Sequence, residues 1–223
     1  LSIYLYLNGN KFIKENIRLI ISILIIIPIF GFYRMNNILP TSKSIDIAII
    51  QPNIDPNKKW DFNLRKQTLT FMDSLHRDAI TMDPDLIIFP ETALPSYLRI
   101  ENRVRRNLQR IVNQSGIPII IGTVDRSLDS NGLKSYFNST MYLSPLTDYL
   151  MYNKIHLVPF AEYDLIPSFL SPLANLNINM NRGIFKKGSN YVSFRLNDFI
   201  FSDLICYESS FPRYARKFVE NGA

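Results

Sequence analysis

The chain has 223 residues, 47% of them apolar, with 25 Lys and Arg against 19 Asp and Glu for a net charge of +6. That length supplies one sizeable core plus an appendage; a single Cys excludes an internal disulfide framework, and with only two His, His76 and His156, a zinc site would need mostly carboxylates. Neither metal nor cofactor is therefore expected, and the scattered basic residues fit a solvated surface drawn to anionic lipid better than a nucleic-acid face.

The chain opens on Leu1 and closes on Asn221-Gly222-Ala223, and reads as a piece of a longer protein, with residues 1–16 as the remnant of a preceding membrane region. Ile17–Tyr33, IRLIISILIIIPIFGFY, carries one charge, Arg18. A bilayer crossing needs about 20 apolar residues, so residues 17–34 are expected to form a transmembrane helix. A buried core helix or a signal sequence is the plain alternative. Pro28 is tolerated in a span, since neighbouring groups can satisfy the freed carbonyl. Lys11, Lys14 and Arg18 precede the helix whereas Arg34 and Lys43 follow it, which places the N-terminal side in the cytoplasm and the rest outside.

Residues 35–44 read as a linker, and from residue 45 the pattern alternates between strands and helices. Ile45–Gln51 is β-branched and stops at Pro52, as a buried strand does. Leu64, Thr68, Phe71, Leu75, Ala79 and Met82 recur at helical spacing. Leu86–Phe89 is a second strand, ended by Pro90. A helix through Val104, Leu108 and Ile111 stops at Gly116, and Pro118–Val124 is a third strand. Tyr136–Leu143 and Tyr149–Leu157 flank a turn as a hairpin; Phe199–Tyr207 is the last strand, followed by a helix over Pro212–Val219. This alternation gives an α/β layered domain over residues 45–223.

Three polar residues fall where such strands run out, the usual place for a site in an α/β sheet. Glu91 follows the strand ended by Pro90; as a plain residue it would cap a loop. Lys154 sits in an apolar stretch where an unpaired charge is costly, though an exposed strand Lys would look the same. Cys206 is placed last but one in its strand. A lone Cys there is commonly an inert core residue unless a base and a cation activate it.

The segments PET at Pro90–Thr92, KIHLVPFAE at Lys154–Glu162 and ICYE at Ile205–Glu208, in that order, together with QPNIDPNKKW at Gln51–Trp60, resemble the nitrilase (carbon–nitrogen hydrolase) superfamily, and within it the apolipoprotein N-acyltransferase family. The likeness runs from about Leu19 onward. It implies an α-β-β-α nitrilase-like sandwich preceded by a transmembrane helix, on the periplasmic side of a bacterial inner membrane. It also implies a reaction: an acyl chain passes from a phospholipid to Cys206, then to the N-terminal amine of a diacylated apolipoprotein. By that resemblance Cys206 is the nucleophile, Glu91 the general base and Lys154 the oxyanion partner. Glu162 and Glu208 match two supporting carboxylates, and Tyr207 and Trp60 nearby aromatic positions. Either Glu could instead pair with Lys154 or cap a loop, Trp60 could simply pack, and His156 is taken as structural. The several membrane helices before the span, the end of the domain and a returning helix, which the family has, are expected to lie outside this chain. A membrane-tethered amidase using the same three residues, and an inactive scaffold of the same fold, remain the alternatives.

Overall fold

The computed structural model describes residues 11–37, 43–55, 61, 63–128, 132–159, 161–163 and 185–223. The chain divides into two units, Leu1–Ser44 and Ile45–Ala223.

In the first unit a helix, α1, runs over Lys11–Asn36 with Pro28 inside it. It starts before the expected residue 17 because nothing from Lys11 to Asn16 breaks a helix: Lys and Glu are good helix formers. The apolar part, Asn16–Asn36, is 21 residues long. At 1.5 Å per residue it spans about 32 Å, against a hydrocarbon thickness of about 30 Å. Leu24, Ile27, Phe30 and Phe32 are exposed around it, and a helix apolar on every side suits lipid better than water. Asn37 closes its end, Nδ2 donating to the Tyr33 carbonyl at 2.8 Å.

The second unit is built on a five-stranded sheet in sequence order: β1 (Ile47–Ile49), β2 (Leu86–Ile88), β3 (Ile119–Leu128), β4 (Lys134–Leu143) and β5 (Leu150–Asn153). β1, β2 and β3 are parallel, and two helices, α2 (Arg65–Ile80) and α3 (Asn102–Ser115), make the connections. β3, β4 and β5 are antiparallel. From β2 to β4 both sheet faces are buried, which explains the unbroken apolar runs, whereas in β1, expected to be buried, Ile47 and Ile49 are exposed. Successive residues alternate between them: Ile87, Ile119, Ile121, Met141 and Leu143 pack with Met72, Ala79, Leu108 and Val112 of the helices. Leu86, Ile120, Tyr142 and Tyr152 face the other way, against Phe194, Leu196, Ile205 and Phe218. That second layer is the hairpin β6 (Phe194–Leu196) and β7 (Phe199–Phe201), and Phe218 belongs to the last helix, α4 (Pro212–Glu220).

Several sequence expectations shift, among them the strand expected over Tyr149–Leu157, which is confined to Leu150–Asn153. The first strand is shorter than Ile45–Gln51. The buried stripe of α2 is Thr68, Met72, His76 and Ala79, while Phe71 and Met82 are exposed. β6 was hidden by a short run with a charged centre, Phe-Arg-Leu. The strand expected over Phe199–Tyr207 stops at Phe201, and Cys206 opens a 3-10 turn, Cys206–Ser210. Between them the chain is held by side chains rather than by a ladder: Ser202 Oγ donates to the Val192 carbonyl at 3.0 Å, and Thr140 Oγ1 donates to Asp203.

Candidate active site

Glu91 is set at the mouth of β2. Phe89 N donates to the Ile120 carbonyl at 2.8 Å, continuing the parallel pairing, and Pro90, lacking an N–H, ends it. The chain then turns through Thr92 at φ +45° and returns to β3, Ala93 N donating to the Gly122 carbonyl at 2.8 Å. Gly122 permits this approach: a Cβ there would stand 2.5 Å from the Pro90 oxygen and 2.6 Å from Glu91 Cα.

Lys154 is the first residue past β5 and is 1% exposed. Its N–H donates to the Asn138 carbonyl at 2.8 Å, and its own carbonyl accepts from Gly188 N at 2.8 Å. The ammonium lies 2.9 Å from both Glu162 oxygens and 3.7 Å from Glu91 Oε1. A buried charge needs this pairing. Glu162 is fixed in turn by Val158 N, donating at 2.8 Å. Asn138 of β4 joins the two acids: its amide donates to Glu91 Oε1 at 2.5 Å and to Glu162 Oε1 at 2.7 Å. Sequence reasoning passed over Asn138, and over Asp203, which lines one cleft with Glu91 and Cys206. The available signal was a polar residue inside a strand buried on both faces. Burial raises the pKa of Asp203, and the charges of Glu208 and Glu91 add to the rise.

Cys206 stands at φ +50°, a left-handed conformation that is uncommon for any residue but Gly and that turns the exposed thiol out of the chain path. Its pKa is raised, first by partial burial and then by the charge and hydrogen bond of Glu91, with Lys154 opposing. The resting group is thus a thiol hydrogen-bonded to a carboxylate. Glu91 and Lys154 meet Cys206, and Glu162 joins them through Lys154, whereas the sequence reading had left Glu162 and Glu208 undivided.

Glu208 has other work. It is fully buried, and Oε1 accepts from Tyr152 OH at 2.7 Å, Ile155 N at 2.8 Å and His156 N at 2.9 Å, while Oε2 accepts from Ile205 N at 2.9 Å. It fastens the loop after β5 to the turn bearing Cys206. Tyr207 stacks on His156 with ring centroids 5.3 Å apart and 13° between planes. Because β5 ends at Asn153, strand alternation does not set the direction of His156; its ring joins Tyr207, Phe211 and Tyr214. Trp60 lies outside the described residues. Among the described residues no cluster of His, Cys, Asp and Glu is fit to hold a metal ion.

A carboxylate on a thiol, with an ammonium beside both, can generate a sulfur nucleophile and stabilise an oxyanion. Residues 46–223 match the carbon–nitrogen hydrolase family. The chain is 30% identical over 211 residues to an apolipoprotein N-acyltransferase of Geobacter metallireducens, covering 94% of this chain and 40% of that protein. It is 34% identical over 183 residues to one of Haemophilus influenzae, covering 78% and 34%. It therefore spans less than half the length of these relatives. Among solved structures, an amidase of Nesterenkonia from the nitrilase superfamily superposes with a TM-score of 0.58 at 17% identity, covering 84% of this chain and 65% of that one. A glutamine-dependent NAD+ synthetase of Acinetobacter baumannii superposes at 0.53 with 19% identity, covering 81% and 31%. At such identities these structures show the common fold.

Proposed function

This chain belongs to the carbon–nitrogen hydrolase family, and on that premise we propose that it carries the catalytic centre of a phospholipid:apolipoprotein N-acyltransferase. The observation that supports the reading most is that Glu91 and Lys154 act together on the thiol of Cys206, with Glu162 paired to Lys154 behind them. Relatives of that name at about a third identity over most of the chain supply the substrate class.

Because the thiol is held protonated, its deprotonation accompanies attack. Glu91 takes the proton as the sulfur adds to an ester carbonyl of the lipid, and Lys154 faces the oxyanion. Collapse breaks the ester C–O bond, and the proton on Glu91 leaves with the lysophospholipid alkoxide. A thioester remains on Cys206. In the second half the acceptor amine adds to that carbonyl, the C–S bond breaks, and Glu91 moves the amine proton to the departing sulfur. Splitting a difficult aminolysis this way gives two lower barriers. Glu162 pairs with Lys154 and aims it, and Glu208 positions the turn. The place of work is the outer face of a bacterial inner membrane, a reading supported by the apolar stretch of α1 and the basic residues before it.

The full-length protein, given phospholipid labelled in its acyl chain and a diacylated lipopeptide, should yield triacylated peptide through a labelled Cys206. Cys206→Ala should abolish both products. Labelled free fatty acid with no triacylated peptide would reject the transferase in favour of a hydrolase.

A further inference from the structure

The outer face of the helical layer carries charges and an exposed ring that the chemistry above does not use. α3 reads NRVRRNLQRIVNQS, four arginines and no acid. It buries Leu108, Ile111 and Val112, and Arg105 turns back to the domain, donating to the Leu98 carbonyl at 3.3 Å and lying 4.9 Å over the Tyr149 ring. Arg103, Arg106 and Arg110 are left exposed. Their spacings of three and four align them along one side of the helix, about 10 Å from first to last. Neutral acceptors hold two of them: Arg106 Nε donates to the Asn102 carbonyl at 3.3 Å, and Arg110 donates to Asn107 Oδ1 at 2.9 Å and Gln114 Oε1 at 3.2 Å. Such contacts orient a guanidinium and leave its charge whole.

Between α3 and α2 runs a groove of about 1030 Å³ with Leu69, Met72 and Val104 in its floor. Among the described residues Arg65 and Lys66 join the three exposed arginines along it, five cations against two carboxylates, Asp73 and Glu101. Both carboxylates are engaged, Glu101 by Arg65 and Asp73 by Arg77 at 3.0 Å. Phe71 shares a neighbouring hollow with Lys66 and is 45% exposed, where helical periodicity placed it in the core. A row of cations with an exposed ring beside it is the chemistry of a lipid–water interface: phosphates meet the cations, and the ring enters the acyl boundary. An acidic peptide would match the charges too, but the chain brings a bilayer closer. The apolar stretch of α1 ends at Asn36 and the second unit begins at Ile45. The eight residues 37–44 between them reach at most about 30 Å, so a bilayer holding the span is present at high effective concentration.

We propose that the face formed by α3 and the first half of α2 docks on the anionic headgroups of a phospholipid bilayer, with Lys66, Arg103, Arg106 and Arg110 on phosphates and Phe71 at the acyl boundary. The inference rests on the membrane reading of α1 and not on the acyl transfer. The full chain with Cys206→Ser and Gln67→Cys carries one thiol for a fluorophore, set in the hollow between Lys66 and Phe71. It is placed in nanodiscs of phosphatidylcholine, alone or mixed with phosphatidylglycerol, each holding a headgroup quencher. The mixed discs should quench the fluorophore and the neutral ones should not, and salt at about 1 M should abolish the quenching. Arg103→Gln with Arg106→Gln and Arg110→Gln should lower the docked-to-free ratio about a hundredfold, while the three Lys replacements should keep it. Phe71→Ser should lower it about tenfold. Equal quenching in both kinds of disc, or in the Gln variant, overturns the docking face. Polyglutamate that shifts the fluorophore in neutral discs as strongly as phosphatidylglycerol does also overturns it, in favour of an acidic protein partner. A chain that stays outside the discs, yet is quenched by their surface in the same salt-sensitive way, refutes the span and leaves the docking face standing. A chain that enters the mixed discs and is not quenched does the reverse.

Discussion

Two acids near Cys206 end in opposite surroundings. Glu162 faces a full charge, with both oxygens 2.9 Å from the Lys154 ammonium, and shares the amide of Asn138 with Glu91. Among the described residues Glu208 accepts its hydrogen bonds from dipoles, one phenol and three backbone N–H groups. A carboxylate beside a cation sets the electrostatics of a reaction, and a carboxylate among neutral donors sets geometry. Substitution should therefore separate them, with Glu208 weighing on stability and Glu162 on turnover.

Glu208→Ala gives the largest effect, because it removes the one carboxylate that four donors share in and around the core. The cost is about 4 kcal/mol, seen as a fall of roughly 10 °C in Tm. A stable Glu208→Ala protein with lost turnover would erase the contrast. Glu162→Gln keeps the volume and removes the charge, so kcat should fall by about a hundredfold while Tm shifts by only a few degrees; a collapse in Tm would move Glu162 into the other class.

A third buried polar group, His76 on α2, sets the case without partners. Among the described residues neither ring nitrogen has a hydrogen-bond partner, and the ring packs edge-on to Phe89 at 5.4 Å. Burial lowers its pKa to about 4 from 6.5. The unfolded chain thus takes up this proton first as pH falls. The contribution of His76 is complete above pH 6.5, is lost between there and pH 4, and amounts to on the order of 3 kcal/mol. Denaturant midpoints of wild type and His76→Leu, compared at pH 7 and pH 4, should converge or cross by that amount; parallel behaviour would show that His76 is not the titrating group. The smallest effect is that of Tyr152→Phe, which removes one of the donors to Glu208. It should cost about 1 kcal/mol and leave kcat alone.

What the sequence revealed depended on whether the physical cause was local. Gly116 ends α3 in a left-handed conformation at φ +76°, and that stop was legible from one residue. The positions of Glu91 and Lys154 at strand ends were legible for the same reason, since Pro90 and a break in apolar pattern mark them. Cys206 was assigned to a strand because Ile200, Phe201, Leu204 and Ile205 form a near-continuous apolar run. The bonds that divert the chain, from Ser202 to Val192 and from Thr140 to Asp203, join distant segments and leave no trace in spacing. Asn138 was invisible likewise: its importance lies in contacts with residues 47 and 24 positions away. The face of α2 shifted to include His76 because packing against the sheet overrode hydropathy.

Since Glu208 ties the loop after Lys154 to the turn of Cys206, and Gly188 seals the back of Lys154, nucleophile and cation are parts of one solid block. Such a block holds the spacing between thiol and ammonium from both sides. Under the proposed acyl transfer, any tolerance for chains of different length has to come from the walls around that block.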